Sequence, residues 1–425
     1  MASRRRIRQR FALASQAAHN HRLRRRPALE ALEPRVVLST FTVDLPTDNA
    51  PTTGGVGSGL AGDLRYCITQ ANADNQANTI VFDSAVFGTH KTITLGGSEL
   101  ELMDTHGTQA ITGPAAGVTI DAGGANCVLE VDSGVTATLS SLTLTGGTDG
   151  GLVNVGTITL TNCMITGISG GLGSLTNIGK ATLTDCTISG NSVSGLSNDG
   201  SGTVALIDCT ISGNSDISNG GSVHPDLGGL PGGGGHGGYG GYGSGGYYSG
   251  GYGGIANISG TTTLTNTIVA GNSGGQIIGQ VSGSYNLIGT GGSGELVDGV
   301  DGNLVGVTNP LLGTLGNYGG PTETIPLLPG SPAIDAGDNA LIPPGVTTDQ
   351  RGVPRIVNGV VDIGAFESEG FTLTPVAGST PQSSAIGAAF VNPLTVRVTA
   401  NNPVEPVDGG VITFVAPPLD RKSVV

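Results

Sequence analysis

The sequence predicts an all-β solenoid in which short strands stack as successive rungs. Its clearest sign is a repeated phrase of Thr, Ile, Leu and Gly, in which Cys163, Cys186 and Cys209 follow one another at intervals of 23 residues. A repeat of this length, with like residues at like positions, is typical of solenoids. Composition agrees, since glycine supplies 76 of 425 residues, charged residues 12% and aromatic residues 4%. Such a chain suits tight turns and a long, thin core better than one large globular core.

Each repeat contains a bend at a predictable residue. Ile158 and Leu160 share one parity of the alternation, Cys163 and Ile165 share the other, and Asn162 lies between them. A residue that switches the inward-facing parity must lie in a bend, and Asn and Asp tolerate the left-handed backbone that a bend can need. We therefore predict one column of stacked bend residues: Asn162, Asp185, Asp208 and Asn266.

Two further columns follow from the same repeat. Four asparagines, each shortly before a Gly and a Thr-rich strand, are predicted to stack: Asn154, Asn177, Asn198 and Asn257. The three regularly spaced cysteines are predicted to form an inward-facing column. No Cys-x-x-Cys motif or Cys/His cluster points to zinc, and parallel neighbours rarely offer the dihedral angle of a disulfide. We therefore expect these thiols to be buried and reduced.

The charge distribution limits the partners. Ten of the 18 basic residues are arginines within the first 35 positions, so residues 36–425 carry 8 basic against 30 acidic groups, a net charge of −22. A region so poor in Lys and Arg offers no stripe that could neutralise phosphates, which disfavours nucleic acid as a partner. Calcium or a cationic surface suits it better. No stretch is long and apolar enough to span a bilayer, so no transmembrane segment is predicted.

The chain begins with a basic leader, residues 1–40, followed by a predicted N-terminal cap, residues 41–77. Within the cap, apolar residues recur at i, i+3, i+4 and i+7, which is one face of a short helix, and Asp63 lies near its start. That face consists of Leu64, Cys67, Ile68 and Ala71. We expect the helix to cover the first rung, because open solenoid ends invite edge-to-edge association.

Residues 78–306 consist of predicted strands and turns that form the rungs. Cys209 and the aligned Thr267 are 58 residues apart instead of 23, and the surplus matches a Gly/Tyr-rich insertion at residues 220–254. Its low aliphatic content cannot offset the entropy of ordering, so a disordered loop is predicted. The loop is either a tolerated insertion at a turn or a binding surface for sugars or neighbouring cells. In the second case its tyrosines would make the contacts: Tyr239, Tyr242, Tyr247, Tyr248 and Tyr252.

The composition and patterning of the sequence change again toward the C-terminus. Prolines become frequent in residues 307–370, which are expected to end the regular stacking because proline removes ladder donors. Residues 371–419 alternate as antiparallel strands do. The last residues, 420–425, break the composition, and we interpret them as a sequence artefact.

Several phrases resemble those of bacterial surface proteins. Leu29-Glu-Ala-Leu-Glu-Pro-Arg resembles the leader of large secreted proteins of planctomycete-type bacteria. Thr348-Asp-Gln-Arg-Gly-Val-Pro-Arg and Val361-Asp-Ile-Gly-Ala-Phe-Glu resemble the choice-of-anchor Q module, which implies that residues 307–370 form a C-terminal cap. Residues 371–419 resemble the opening strands of an Ig-like domain, although they are shorter than the usual domain of about 100 residues.

Together with the rungs, residues 41–368 are similar to right-handed parallel β-helix surface proteins of pectate-lyase-like architecture, including polymorphic outer membrane repeat proteins. The resemblance implies an exported protein in the extracellular space or at the cell surface. It does not imply one chemistry, because function depends on the site carried by the fold.

Catalytic candidates are few. A lyase of this architecture would need a Lys or Arg base, and Lys180 is the only Lys or Arg between Thr92 and Gln350. A hydrolase would need paired carboxylates, for which Asp185 and Asp208 on adjacent rungs are the candidates. The competing interpretation makes all three ordinary turn residues. Calcium, if bound, would use carboxylates of the terminal cap, although no calcium-loop spacing occurs: Asp335, Asp338, Asp349 and Asp362.

These observations favour a non-enzymatic structural or adhesive protein. We expect a right-handed β-helix of about nine rungs, about 40 Å long at one strand spacing per rung. Two alternatives stay open, a carbohydrate-active enzyme such as a polysaccharide lyase or hydrolase, and a glycan-binding module. No cofactor is predicted, with calcium as the alternative, and the expected partner is a polysaccharide or a neighbouring cell surface.

Overall fold

The structure is a computed structural model that describes residues 39–215, 253–385 and 387–415. Almost all of the leader, most of the Gly/Tyr-rich insertion with its five tyrosines, and residues 420–425 lie outside this part of the chain. The predictions made for those segments therefore stay predictions. The described residues belong to one structural unit, Leu38–Val425.

Three sheets of parallel strands wind through the chain, and each complete rung contributes one strand to each sheet. Sheet 1 contains β1 (Ser39–Val43), β4 (Asn78–Phe82), β7 (Thr108–Thr112), β10 (Thr136–Ser140), β13 (Thr157–Thr161), β16 (Lys180–Thr184), β19 (Thr203–Ile207), β22 (Thr261–Thr265) and β25 (Ser282–Ser284). Its N-terminal edge is extended by β2 (Gly57–Ser58) and β3 (Ala61–Gly62).

Sheets 2 and 3 complete each rung. Sheet 2 contains β5 (Lys91–Thr94), β8 (Val118–Asp121), β11 (Thr143–Thr145), β14 (Met164–Ile165), β17 (Thr187–Ser189), β20 (Thr210–Ser212), β23 (Ile268–Ala270), β26 (Leu287–Gly289) and β27 (Leu304–Val307). Sheet 3 contains β6 (Leu100–Leu102), β9 (Leu129–Val131), β12 (Leu152–Asn154), β15 (Leu175–Asn177), β18 (Leu196–Asn198), β21 (Ile255–Asn257) and β24 (Ile277–Ile278). The chain is thus mostly β, with three parallel sheets consistent with a right-handed parallel β-helix.

Like side chains lie over like in the core, as the repeat predicts. In sheet 1, Leu160 pairs in register with Leu183, Leu183 with Leu206, and Leu206 with Leu264. All four leucines are fully buried. One continuous hydrophobic core extends along the rungs from Phe41 to Ile288.

The cysteine column lies beside this core. Cys163, Cys186 and Cys209 are buried free thiols, and the backbone N–H of Cys163 donates to the Cys186 sulfur at 3.4 Å. The N–H of Cys209 donates to the hydroxyl of Thr267 at 3.3 Å, so Thr267 continues the column in the next rung. The thiols therefore stack without forming disulfides.

Buried asparagine columns tie consecutive rungs together. Asn154 donates from its side-chain amide to Asn177 at 2.7 Å, Asn177 to Asn198 at 2.8 Å, and Asn198 to Asn257 at 2.9 Å. A second column was not anticipated from the sequence and lies at the end of the sheet 2 strands. It consists of Asn191, Asn214, Asn272 and Gln276, joined by side-chain bonds of 2.8, 3.0 and 2.9 Å.

One α-helix, α1 (Leu64–Ala73), lies where the apolar periodicity predicts it. The Asp63 carboxylate caps it by accepting a bond from the N–H of Tyr66 at 2.8 Å. Its buried apolar face packs against β1, β3 and β6 at the first rungs. Arg65 is also buried, because its guanidinium pairs with Asp48 at 2.8 Å. Two short 3₁₀ helices span Pro51–Thr53 and Asn339–Leu341.

The segment predicted as a C-terminal cap, residues 307–370, runs back along the outer side of sheet 2, and we call it the strap. Thr322 donates to the carbonyl of Asn162 at 3.0 Å, and the N–H of Ala365 donates to the Thr210 hydroxyl at 3.0 Å. A second hydrophobic core forms beneath the strap. It contains Ile268, Ala270, Leu287, Leu327, Ala333, Ile363 and Phe366.

Beyond the strap, β28 (Phe371–Pro375) and β29 (Val396–Ala400) form a two-stranded antiparallel sheet. The described part of residues 371–419 contains no further strand, so the structure does not show the Ig-like sandwich that the alternation suggests. In the described ranges, no helix has the length and apolar character needed to cross a membrane.

Candidate functional site

The bend column places two carboxylates on adjacent rungs. Asn162, Asp185, Asp208 and Asn266 have φ values of 54°, 51°, 52° and 45°, which is the left-handed region predicted for the parity switch. Each bend joins a strand of sheet 1 to a strand of sheet 2 with very few residues. Asp185 and Asp208 are about 1% and 0% exposed, because the strap covers them.

The strap supplies the cation for these carboxylates. The guanidinium of Arg355, fully buried, lies 3.7 Å from the Asp185 carboxylate and 3.5 Å from that of Asp208. The same guanidinium donates to the carbonyls of Asp362 and Gly364 at 2.9 and 2.6 Å. Two carboxylates of the solenoid therefore share one arginine from a segment about 150 residues further along the chain.

Burial dominates the electrostatics of this group, which we call the Arg355 cluster. It raises the pKa of Asp185 well above the usual value and raises the pKa of Asp208, although the nearby guanidinium favours ionisation of both. Burial opposes the charge of Arg355 as well, yet the carboxylates of Asp208 and Asp185 raise its pKa above the ordinary value. The side chain of Asn266, the next residue of the bend column, also favours the ionised form of Asp208 and so lowers its pKa. The cluster thus depends on ion pairing inside a closed interface.

A second ionic group holds the strap nearby. The guanidinium of Arg351 pairs with the carboxylate of Asp349 at 2.7 Å and with that of Glu405 at 3.4 Å. Its central carbon lies 3.5 Å above the centre of the Phe366 ring. A guanidinium over an aromatic face in a desolvated setting adds cation–π attraction to the ion pair. Between the two arginine groups, Gln350 accepts a hydrogen bond from Thr187 of β17 and donates to Thr322 at 2.9 Å.

The catalytic candidates do not converge. Asp185 and Asp208 share the Arg355 cluster, but Lys180 lies at the opposite end of β16, exposed on the outer face of sheet 1. A lyase base and its substrate-binding carboxylates would have to face one accessible groove. The buried pair cannot reach solvent, and Lys180 has no carboxylate partner among the described side chains.

Three of the four calcium candidates, Asp338, Asp349 and Asp362, use their carboxylates to accept hydrogen bonds from backbone N–H groups. Asp349 accepts the backbone N–H groups of Arg351 and Val353 at 2.9 and 3.1 Å, and Asp338 caps a 3₁₀ helix by accepting from Ala340. The backbone N–H of Asp335 donates to Asp362 at 2.6 Å. Over the described ranges, no group of three or more His, Cys, Asp or Glu residues is arranged to hold a metal ion.

Two strap carboxyls titrate near neutrality. Burial raises the pKa of Asp362 to about 7 and that of Glu367 to about 8, and the two groups repel one another. Each accepts two backbone N–H groups, Asp362 from Asp335 and Ser368, and Glu367 from Val357 and Asp362. Both sit in the turn that carries the Gly364 carbonyl to Arg355.

These pKa values predict that the folded protein loses stability as the pH rises. A carboxyl with a raised pKa in the folded state binds more protons than in the unfolded chain, so its contribution is fully present below about pH 4 and is lost through about pH 8. Urea unfolding between pH 5 and 8.5 should show a midpoint that declines with pH, with a shallower decline in Glu367→Gln. An identical slope in that variant would contradict the assignment to this pair.

Sequence reasoning missed a carboxylate group on sheet 3. Glu101 of β6 and Glu130 of β9 are in-register partners on neighbouring strands, with Glu99 and Asp132 close by in the chain. Burial, followed by the charges of Asp132, Glu101 and Glu99, raises the pKa of Glu130 to about 7. The signal was present as the recurring pattern Leu-Glu-Leu and Leu-Glu-Val, in which the central Glu faces outward.

A crystal structure of pectate lyase Pel9A is similar, with a TM-score of 0.40 and 14% sequence identity over 78% of this chain and 97% of that chain. No protein-family model matches the chain, and no curated protein sequence matches it.

Proposed function

We propose that this protein is a non-enzymatic structural or adhesive rod, exported to the extracellular space or the cell surface. The observation that carries the proposal is the burial of Asp185 and Asp208 against Arg355. The paired carboxylates of the rungs serve to fasten the strap, so they are unavailable to a substrate. The resemblance of the leader to planctomycete-type export leaders, and of the strap to the choice-of-anchor Q module, supports the location.

The rod has the construction that a spacer or adhesive element needs. Its rungs are joined by hydrogen-bonded strands, asparagine columns and a continuous core, so bending it requires breaking many contacts at once. Each added rung lengthens the rod by about 4.8 Å, so the number of repeats sets the length of the rod. Ig-like strands after the strap would extend the same exported chain.

A second candidate, glycoside hydrolysis, is favoured by the Glu101–Glu130 pair. In-register neighbours on parallel strands place two carboxyl groups roughly 5 Å apart, the separation found in retaining glycosidases. Glu130, half-buried with its pKa raised to about 7, would be the general acid. This function would use sheet 3 and would leave the Arg355 cluster in its structural role.

One screen separates the two functions. The purified protein is incubated with a panel of acidic and neutral polysaccharides, and released reducing or unsaturated ends are measured for the wild type and Glu130→Gln. The structural proposal predicts no turnover by either protein, together with sedimentation of the intact protein with insoluble polysaccharide or whole bacterial cells. Release of saturated reducing ends by the wild type that is lost in Glu130→Gln would overturn the structural proposal and establish the hydrolase, whereas release of unsaturated ends would overturn it in favour of a lyase.

A further inference from the structure

The outer face of sheet 1 is covered by hydroxyl side chains. Along the strands of this sheet, inward residues are buried and the residues between them are exposed or half-exposed, except Thr184 of β16, which is buried. We define the threonine face as the accessible outward hydroxyl residues of β7 to β25. They are Thr108, Thr112, Thr136, Thr138, Ser140, Thr157, Thr159, Thr161, Thr182, Thr203, Thr261, Thr263, Thr265, Ser282 and Ser284.

Strand pairing arranges these side chains in a two-dimensional lattice. Thr138 is in register with Thr159, and Thr159 with Thr182, so one column crosses consecutive strands. Parallel columns run through Thr136 and Thr157 on one side of it. The columns repeat at about 4.8 Å from strand to strand and about 6.7 Å from one outward residue to the next along a strand. Four outward positions carry no hydroxyl: Ala110, Lys180, Ala205 and Ile207.

The hydroxyls are available and held in place. Within the described chain, the only side-chain hydrogen bond inside the threonine face joins Thr263 and Ser282 across neighbouring strands at 3.3 Å. Branching at Cβ limits the rotamers of threonine on a strand, so each hydroxyl and methyl group has a nearly fixed position. The lattice is therefore ordered before any ligand arrives, which lowers the entropic cost of binding.

Charge complementarity points to an uncharged ligand. The whole chain has a net charge of −14, yet the outward positions of sheet 1 from β7 to β25 contain a single charged residue, Lys180. The same positions contain no aromatic ring on which a sugar could stack. The threonine face instead offers many weak, similar contacts from hydroxyl and methyl groups. Such contacts add up to strong binding only when the ligand repeats on a matching lattice.

We propose that the threonine face binds ice. Water molecules on the prism face of hexagonal ice repeat on a rectangular lattice of comparable dimensions to the columns of this face. Threonine hydroxyls can donate to and accept from ice-lattice water, and the methyl groups between them favour ordered water over bulk contact. A charged side chain would hold a competing hydration shell, so Lys180 marks the weakest point of the lattice.

The test measures incorporation into growing ice. Ice is grown slowly from a solution of the purified protein, and the protein concentration in the ice fraction is compared with that in the remaining liquid. The wild type is expected to be enriched in ice and to slow recrystallisation. Thr159→Lys, at the centre of the face, should lose both effects, whereas Lys180→Thr, which completes a column, should strengthen both.

Controls keep the result specific. Thr372→Lys alters an exposed threonine on β28, outside the threonine face, and should leave the wild-type enrichment unchanged. Circular dichroism of every variant checks that the solenoid is folded. Exclusion of the wild type from ice would overturn the proposal, and so would equal enrichment of wild type and folded Thr159→Lys. Binding to insoluble polysaccharide through this face without enrichment in ice would also overturn it.

Discussion

Replacing Arg355 by methionine should destabilise the protein by about 3–5 kcal/mol, because it leaves two buried carboxylates without their shared cation. Asp185 and Asp208 are both fully covered by the strap, so neither can recover hydration while the strap is docked. Urea unfolding followed by circular dichroism measures the free energy change. A loss below about 1 kcal/mol, the usual effect of an exposed ion pair, would contradict the buried cluster.

Two further variants serve as controls for the Arg355→Met measurement. Arg397→Met removes an exposed arginine from β29 and should change stability by less than about 0.5 kcal/mol. The triple variant Asp185→Asn, Asp208→Asn, Arg355→Met removes the charges together and should recover most of the loss, since an uncharged replacement of a buried ionic group is often tolerated. Equal losses in the single and triple variants would point to packing as the cause.

Replacing Asn177 by alanine should cost about 3 kcal/mol, the second large effect. Its amide group accepts from Asn154 and donates to Asn198 and to the Gly179 carbonyl, all in a buried position. Truncation leaves buried polar groups unsatisfied on both neighbouring rungs, at about 1–3 kcal/mol for each group. Chemical denaturation gives the value.

The matched control for the asparagine column is Asn49→Ala. Asn49 is exposed and its amide donates to the hydroxyl of Thr47, two residues earlier, so the substitution should change stability by less than about 0.5 kcal/mol. If Asn177→Ala were as mild as Asn49→Ala, the column would be a packing feature without energetic weight.

Local patterns predicted much of the solenoid. The parity switch at Asn162 located the bends, because a change of inward-facing parity has one geometric solution. The 23-residue period of the repeat predicted one column for Leu160, Leu183 and Leu206, because residues one period apart occupy the same position on successive rungs. Asn191 and Asn214 were visible in the repeated phrase Ser-Gly-Asn-Ser, but the phrase alone does not tell whether the amide turns inward or toward solvent.

The candidate site was much harder to predict. Arg355 contacts Asp185 and Asp208 across about 150 residues of sequence, and nothing in the local pattern of either segment encodes that pairing. The prolines of the strap indicated that regular stacking ends, without indicating that the chain reverses along sheet 2. The outer side of β17 and β20 is buried because of that reversal, as Thr187 and Thr210 show by bonding to the strap.

The strap changes how the molecule should come apart. An ordinary solenoid can fray from either end, because each coil touches only its neighbours. In this protein the strap contacts Asn162, Thr187, Thr210 and Leu287, which lie on different coils. None of these coils can therefore unfold before the strap detaches. Under tension or heat, the spanned coils should yield together in a single event instead of peeling away one after another.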